Sequence, residues 1–79
     1  MLRLINIEKT NDTIKAEYTP EDSEEVGMVE VSKNSEDVIM CRKTSYDEPI
    51  ESYLRQATNA LRMILKESDV PKTRLVMWY

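Results

Sequence analysis

Residues 50–66, IESYLRQATNALRMILK, decide the fold. Ile50, Tyr53, Leu54, Ala57, Ala60, Leu61, Ile64 and Leu65 recur at spacings of three and four, which makes one apolar stripe on an α-helix. Glu51, Ser52, Arg55, Gln56, Asn59, Arg62 and Lys66 fall on the opposite face, with Glu51 and Arg55 placed for a favourable i,i+4 pair. Start signals precede the stripe. Ser45 and Glu48 match the S-x-x-E capping box, Asp47 is an alternative N-cap, and Pro49 fits only in a first turn. Pro71 bars continuation, so the spacing predicts a helix that ends around Lys66 to Ser68.

Towards the N-terminus the period drops to two. Ile14, Ala16 and Tyr18 alternate with Lys15, Glu17 and Thr19, the pattern of a half-buried strand. Residues 2–9 also read as a strand, but the alternation slips between Leu4 and Ile5, which predicts a bulge or a strand with apolar contacts on both faces. Asn11-Asp12 suits the turn between these two strands, because both residues tolerate positive φ. PEDSEEVG, residues 20–27, is a solvated acidic loop. Residues 26–31 and 38–41 supply a third and a fourth strand, the fourth apolar on both faces. Short turns between consecutive strands predict an antiparallel meander.

Beyond the helix lies RLVMWY, residues 74–79, the most apolar stretch of the chain and the place of its only tryptophan. The expectation is a fifth strand over 73–78 that closes the core beside the first. The predicted fold is therefore α+β: an antiparallel meander of four strands, one long amphipathic helix across one face, and a last strand joining the sheet. It forms one domain over residues 1–79. Ile5, Ile7, Val29, Val31, Val76 and Trp78 cannot all share the helix face with Leu4, Ile14, Met28 and Met77. Apolar surface should thus remain on the second sheet face, and such surface marks interaction sites.

Composition narrows the chemistry. The chain has no histidine and one cysteine, which leaves no intramolecular disulfide, no usual zinc site and no His-based hydrolytic triad. Its single glycine, Gly27, is too few for a phosphate-cradling loop. Cys41 ends an apolar strand with no His to activate it and reads as a buried structural residue. The acidic run Glu21, Asp22, Glu24 and Glu25 lacks the alternation and turn glycine of a calcium loop. No catalytic residue, metal ligand or cofactor is expected. The opening MLRLINIEKT is too short and too polar for a signal peptide, and no run reaches membrane-spanning length. One free thiol fits a reducing compartment, so the expectation is a cytoplasmic protein with no membrane partner.

The segments VPKTRLVMWY (70–79), EDSEEVGMVEVSKNSEDVI (21–39) and YLRQATNALRMIL (53–65) resemble small uncharacterised bacterial proteins of about this length, a domain of unknown function. The resemblance implies a bacterial, cytoplasmic, single-domain protein. It carries over no activity, ligand or functional residue.

Three functions are ordered from these readings. The first is a small non-enzymatic protein-interaction or regulatory module, homodimeric through the sheet face or bound to another protein, with Trp78 and Tyr79 as partner-binding residues. The second is a nucleic-acid-associated protein using the helix stripe Arg55, Arg62 and Lys66. A formal charge of −4 disfavours that reading. An enzyme comes last.

Overall fold

The computed structural model describes residues 1–21, 23–47 and 51–77. Its strands are β1 (Leu2–Lys9), β2 (Thr13–Pro20), β3 (Gly27–Ser32), β4 (Val38–Arg42) and β5 (Arg74–Val76), and its one α-helix is α1 (Ser52–Ile64). They form a five-stranded antiparallel sheet in the order β4-β3-β2-β1-β5, with α1 packed across one face. The ββββαβ order is the one the periodicity predicts, and the last strand does pair with the first.

The frame slip in β1 is a bulge. Ile5 pairs with Glu17 and Glu8 with Lys15, so Asn6 and Ile7 together oppose Ala16. Asn6 takes φ 52, in the left-handed region that asparagine enters more easily than most residues. Its side-chain amide donates to Glu17 Oε1 at 2.5 Å. The bulge resets the alternation, so Leu2, Leu4 and Ile7 all reach the helix side and all are buried. The turn at residues 10–13 needs no positive φ at Asn11 or Asp12. Instead the Thr10 hydroxyl accepts from the amides of Asp12 and Thr13, and Thr10 N–H donates to the Thr13 carbonyl.

The core lies between sheet and helix. Ile14, Ala16 and Tyr18 from β2, and Val29 and Val31 from β3, meet Leu54, Ala57, Leu61 and Ile64 from α1. Thr58 is also buried, and its hydroxyl is satisfied by donating to the Leu54 carbonyl one turn back. Tyr53, Ala60 and Leu65 flank this stripe half-buried, while Ile50 lies outside the described residues.

Three expectations are corrected by geometry. A helix is about 10–12 Å across with its side chains, and strands lie about 4.8 Å apart. One helix therefore covers two or three of five strands. Here α1 lies chiefly over β2 and β3, and every residue of β4 is exposed. Val38, Ile39, Met40 and Cys41 are consequently surface residues, and Cys41 is an exposed free thiol, not a buried structural one. Likewise the strand expected over 73–78 is the short edge strand Arg74–Val76: Val76 turns inward, half-buried, whereas Leu75 and Met77 are exposed. The second sheet face does keep apolar residues, but not the set expected. Val29, Val31 and Ile7 point to the helix, and Met28 takes the open face with Ile5, Met40 and Leu75, among Lys15, Glu17 and Glu30.

Candidate functional site

Two places in the molecule gather functional groups, one inside and one at an edge. The inner one centres on Asp47, at the end of a 3-10 turn over Ser45–Asp47. The residue is only 1% exposed. Oδ1 accepts from the Leu54 amide at 2.8 Å, and Oδ2 accepts from the Tyr18 hydroxyl at 2.7 Å, from Thr44 Oγ1 at 3.1 Å and from Thr44 N at 3.3 Å. Asp47 thus caps a first-turn amide of α1 from outside the helix, while the N-cap residue Glu51 makes no side-chain cap bond. The Ser45–Glu48 capping box does not form around Ser45: its hydroxyl and amide both go to the Glu25 carboxylate, and Glu48 lies outside the described residues.

Burial pushes the Asp47 carboxyl upward, but the amide of Leu54, the Tyr18 hydroxyl and the two Thr44 donors outweigh it, and the group ends below its ordinary 3.8. Burial first, and the Asp47 carboxylate next, hold the Tyr18 phenol far above its ordinary 10.0. These groups satisfy one another, and no buried side-chain polar atom among the described residues lacks a partner. The cluster is a staple joining β2, the 3-10 turn and α1.

A pH dependence follows. A carboxyl whose folded pKa lies below its unfolded value stabilises the fold fully above the unfolded value. That contribution disappears as pH falls through the folded one. Thermal denaturation between pH 6 and 2 should show stability falling once pH drops below about 4. Asp47→Asn should flatten that slope. Parallel slopes in parent and variant would assign the acid sensitivity to other carboxylates, such as Glu21 beside Tyr53 or Glu67 beside Arg74.

The outer place is β4. Val38 is 40%, Ile39 54% and Met40 56% exposed, on a strand whose one sheet neighbour is β3. Val31 pairs with Val38 and Glu30 with Met40, so Ile39 is bulged out of the ladder without a β3 partner. On the helix side a groove of about 340 Å³ runs between β4 and α1, walled by Val38 and Cys41 and by Leu54, Arg55, Thr58 and Arg62. On the open side a depression of about 380 Å³ holds Met28 and Met40 among Lys15, Glu17, Glu30 and Arg42. β4 therefore borders a concavity on each face of the sheet.

The residues expected to bind partners fall as follows. Trp78 and Tyr79 lie outside the described residues. Of the basic stripe, Arg55 and Arg62 meet in the β4–α1 groove, whereas Lys66 is exposed beyond it. Arg62 is occupied structurally: Nε donates to the Glu36 carbonyl at 2.8 Å, clasping the β3–β4 turn, and Nη1 reaches Asn59 Oδ1 at 3.4 Å. The acidic loop is likewise engaged within the chain. Glu21 accepts from the Tyr53 hydroxyl at 2.7 Å, and Glu25 holds Ser45. Among the described residues no group of three carboxylate or thiol side chains converges to hold a metal ion, and no helix is long and apolar enough to cross a membrane.

No family model, curated protein or solved structure matches the chain. The resemblance to small bacterial proteins gains no support from these comparisons, and β4 is where exposed apolar residues gather. Sequence reading located this strand but not its exposure, since four consecutive uncovered apolar residues look the same as four buried ones.

Proposed function

We propose that this chain is a small, non-enzymatic protein-interaction module that binds by strand addition at β4. One observation carries the reading: β4 is an edge strand with Val38, Ile39 and Met40 all exposed, and its first four residues, Val38 to Cys41, include neither a charge nor a proline. Edges that must stay free are blunted by lysine, proline, bulges or extreme shortness; β4 has the bulge at Ile39, but Val38–Arg42 holds no lysine or proline. β5, the other edge, has just three residues and begins with Arg74, which forks onto Glu67 with contacts of 2.8 and 3.0 Å. An added strand at β4 would gain main-chain hydrogen bonds, and its alternate side chains would enter the two flanking concavities. The exposed Cys41 thiol favours the reducing cytoplasm as the place of action.

The test is selection of extended peptides from a random display library, followed by mapping of the bound peptides on the amide resonances of the chain. Selected peptides should perturb β4 and should bind at least tenfold more weakly to Ile39→Lys/Met40→Lys. Both side chains are exposed, so the fold tolerates these changes. Peptides that map only to the open sheet face, or that bind the variant equally, would overturn the reading. So would salt-dependent oligonucleotide binding that is lost in Arg55→Glu/Arg62→Glu, which would instead establish a nucleic-acid role for the helix stripe.

A further inference from the structure

The edge carries its own complement. Residues 36–43 read EDVIMCRK: two acids, four uncharged residues, two bases. Asp37 and Arg42 are exposed, and the uncharged centre holds the exposed Val38, Ile39 and Met40. Turned through a two-fold axis and laid antiparallel beside itself, this segment brings the acidic end of each copy against the basic end of the other. Laid parallel, it brings acid to acid and base to base. Opposite charges on facing strands stabilise a pair and like charges destabilise it, so the pattern selects both partner and direction.

We propose that the strand added at β4 is β4 of a second copy, antiparallel, joining the two sheets into one continuous sheet about a two-fold axis. This rests on the reading of β4 as the binding edge and names its occupant. The contact is isologous, so it closes at two copies. The pairing β4 to β5 of another copy would leave free edges and grow without limit, and the three-residue β5 is a poor template for it. Lys43 also forms an ion pair with Glu51 of its own chain, which makes Arg42 the principal cation of the contact. Ile39 is bulged out of the β3 ladder and is 54% exposed.

The test is molar mass by light scattering over a concentration series, for the parent, for Asp37→Lys, for Arg42→Glu, and for an equimolar mixture of the two variants. The parent should pass from 9.3 kDa to twice that mass. Each variant alone places like charges at both ends of the pairing and should dimerise at least tenfold more weakly. The mixture restores opposite charges at both ends and should regain dimers, which also shows that both variants are folded. A parent monomeric at every concentration would overturn the proposal. Binding of library peptides at β4 would then persist, and the edge reading would stand without self-pairing. A dimer indifferent to both substitutions, or a species growing beyond two copies, would also overturn it.

Discussion

Asp47→Ala should destabilise the fold by about 3 to 5 kcal/mol, because it leaves several buried donors without an acceptor. The substitution strands the Tyr18 hydroxyl, the Leu54 amide and the Thr44 hydroxyl and amide in a site with almost no solvent access. Unsatisfied buried donors each cost about 1–3 kcal/mol. A domain of this size has total stability of roughly 4–12 kcal/mol, so the variant should sit close to its unfolding transition at room temperature. Its thermal midpoint should fall by roughly 20 °C. Tyr18→Phe removes just one donor and should cost about 1–2 kcal/mol. In the Asp47→Ala background that same change should be neutral or favourable, because it deletes an orphaned hydroxyl. Urea denaturation of the four proteins completes the cycle. Additive losses, or an Asp47→Ala variant within 1 kcal/mol of the parent, would show that water replaces the carboxylate.

Gly27→Ala should cost about 3 kcal/mol, at the upper end of what overpacking a core causes. Gly27 has no positive φ, so its backbone does not require glycine. Space does. A methyl group there would lie 2.3 Å from Tyr18 Cζ, 2.5 Å from Cε1 and 2.7 Å from the hydroxyl oxygen. Tyr18 is the direct cross-strand partner of Gly27, and its ring lies over the bare backbone. The ring cannot swing aside without breaking its bond to Asp47 and leaving a site where it is fully buried. Calorimetry on Gly27→Ala, Tyr18→Leu and the double variant provides the check. The double variant should lose less than the sum of the two, since each change removes the reason the other is harmful. Simple additivity would mean the ring is not what excludes the methyl group.

These two positions also show where sequence reading stopped. Ile14, Ala16 and Tyr18 fall on one face of β2 by a period of two, which is local information. The helix stripe from Tyr53 to Leu65 was legible for the same reason. The bulge at Asn6 left a local trace in the slipped alternation of β1. Asp47 could be read as a possible cap, but its bond to Tyr18 spans 29 positions and has no local signature. Gly27 looked like a lone glycine at a strand start until its cross-strand neighbour was known. The exposure of β4 was hidden for a different reason. Burial depends on how far the single helix extends over the sheet, a question of widths in ångströms that composition does not encode. The candidate site was therefore visible as a strand and invisible as a surface, while its charge pattern, EDVIMCRK, was in plain view and had no meaning until the strand proved to be an edge.

The pairing of β5 with β1 has a consequence for the order in which the fold assembles. β1 to β4 follow one another through short turns, and each hairpin closes a small loop. Leu4 and Arg74 are bonded neighbours across about 70 residues of chain, and closure entropy rises by about 0.6 kcal/mol for each doubling of loop length. Non-local pairing of this kind is slow. Residues 72–76 are therefore expected to dock last, as Ile7 N–H meets the Lys72 carbonyl and Leu2 meets Val76. Until that moment the eight-residue β1, with Leu2, Leu4 and Ile7 on its inner face, is itself an uncovered edge. An uncovered edge is a template for pairing with another chain, so the arrival of the last strand is the step at which this fold would shed that exposure.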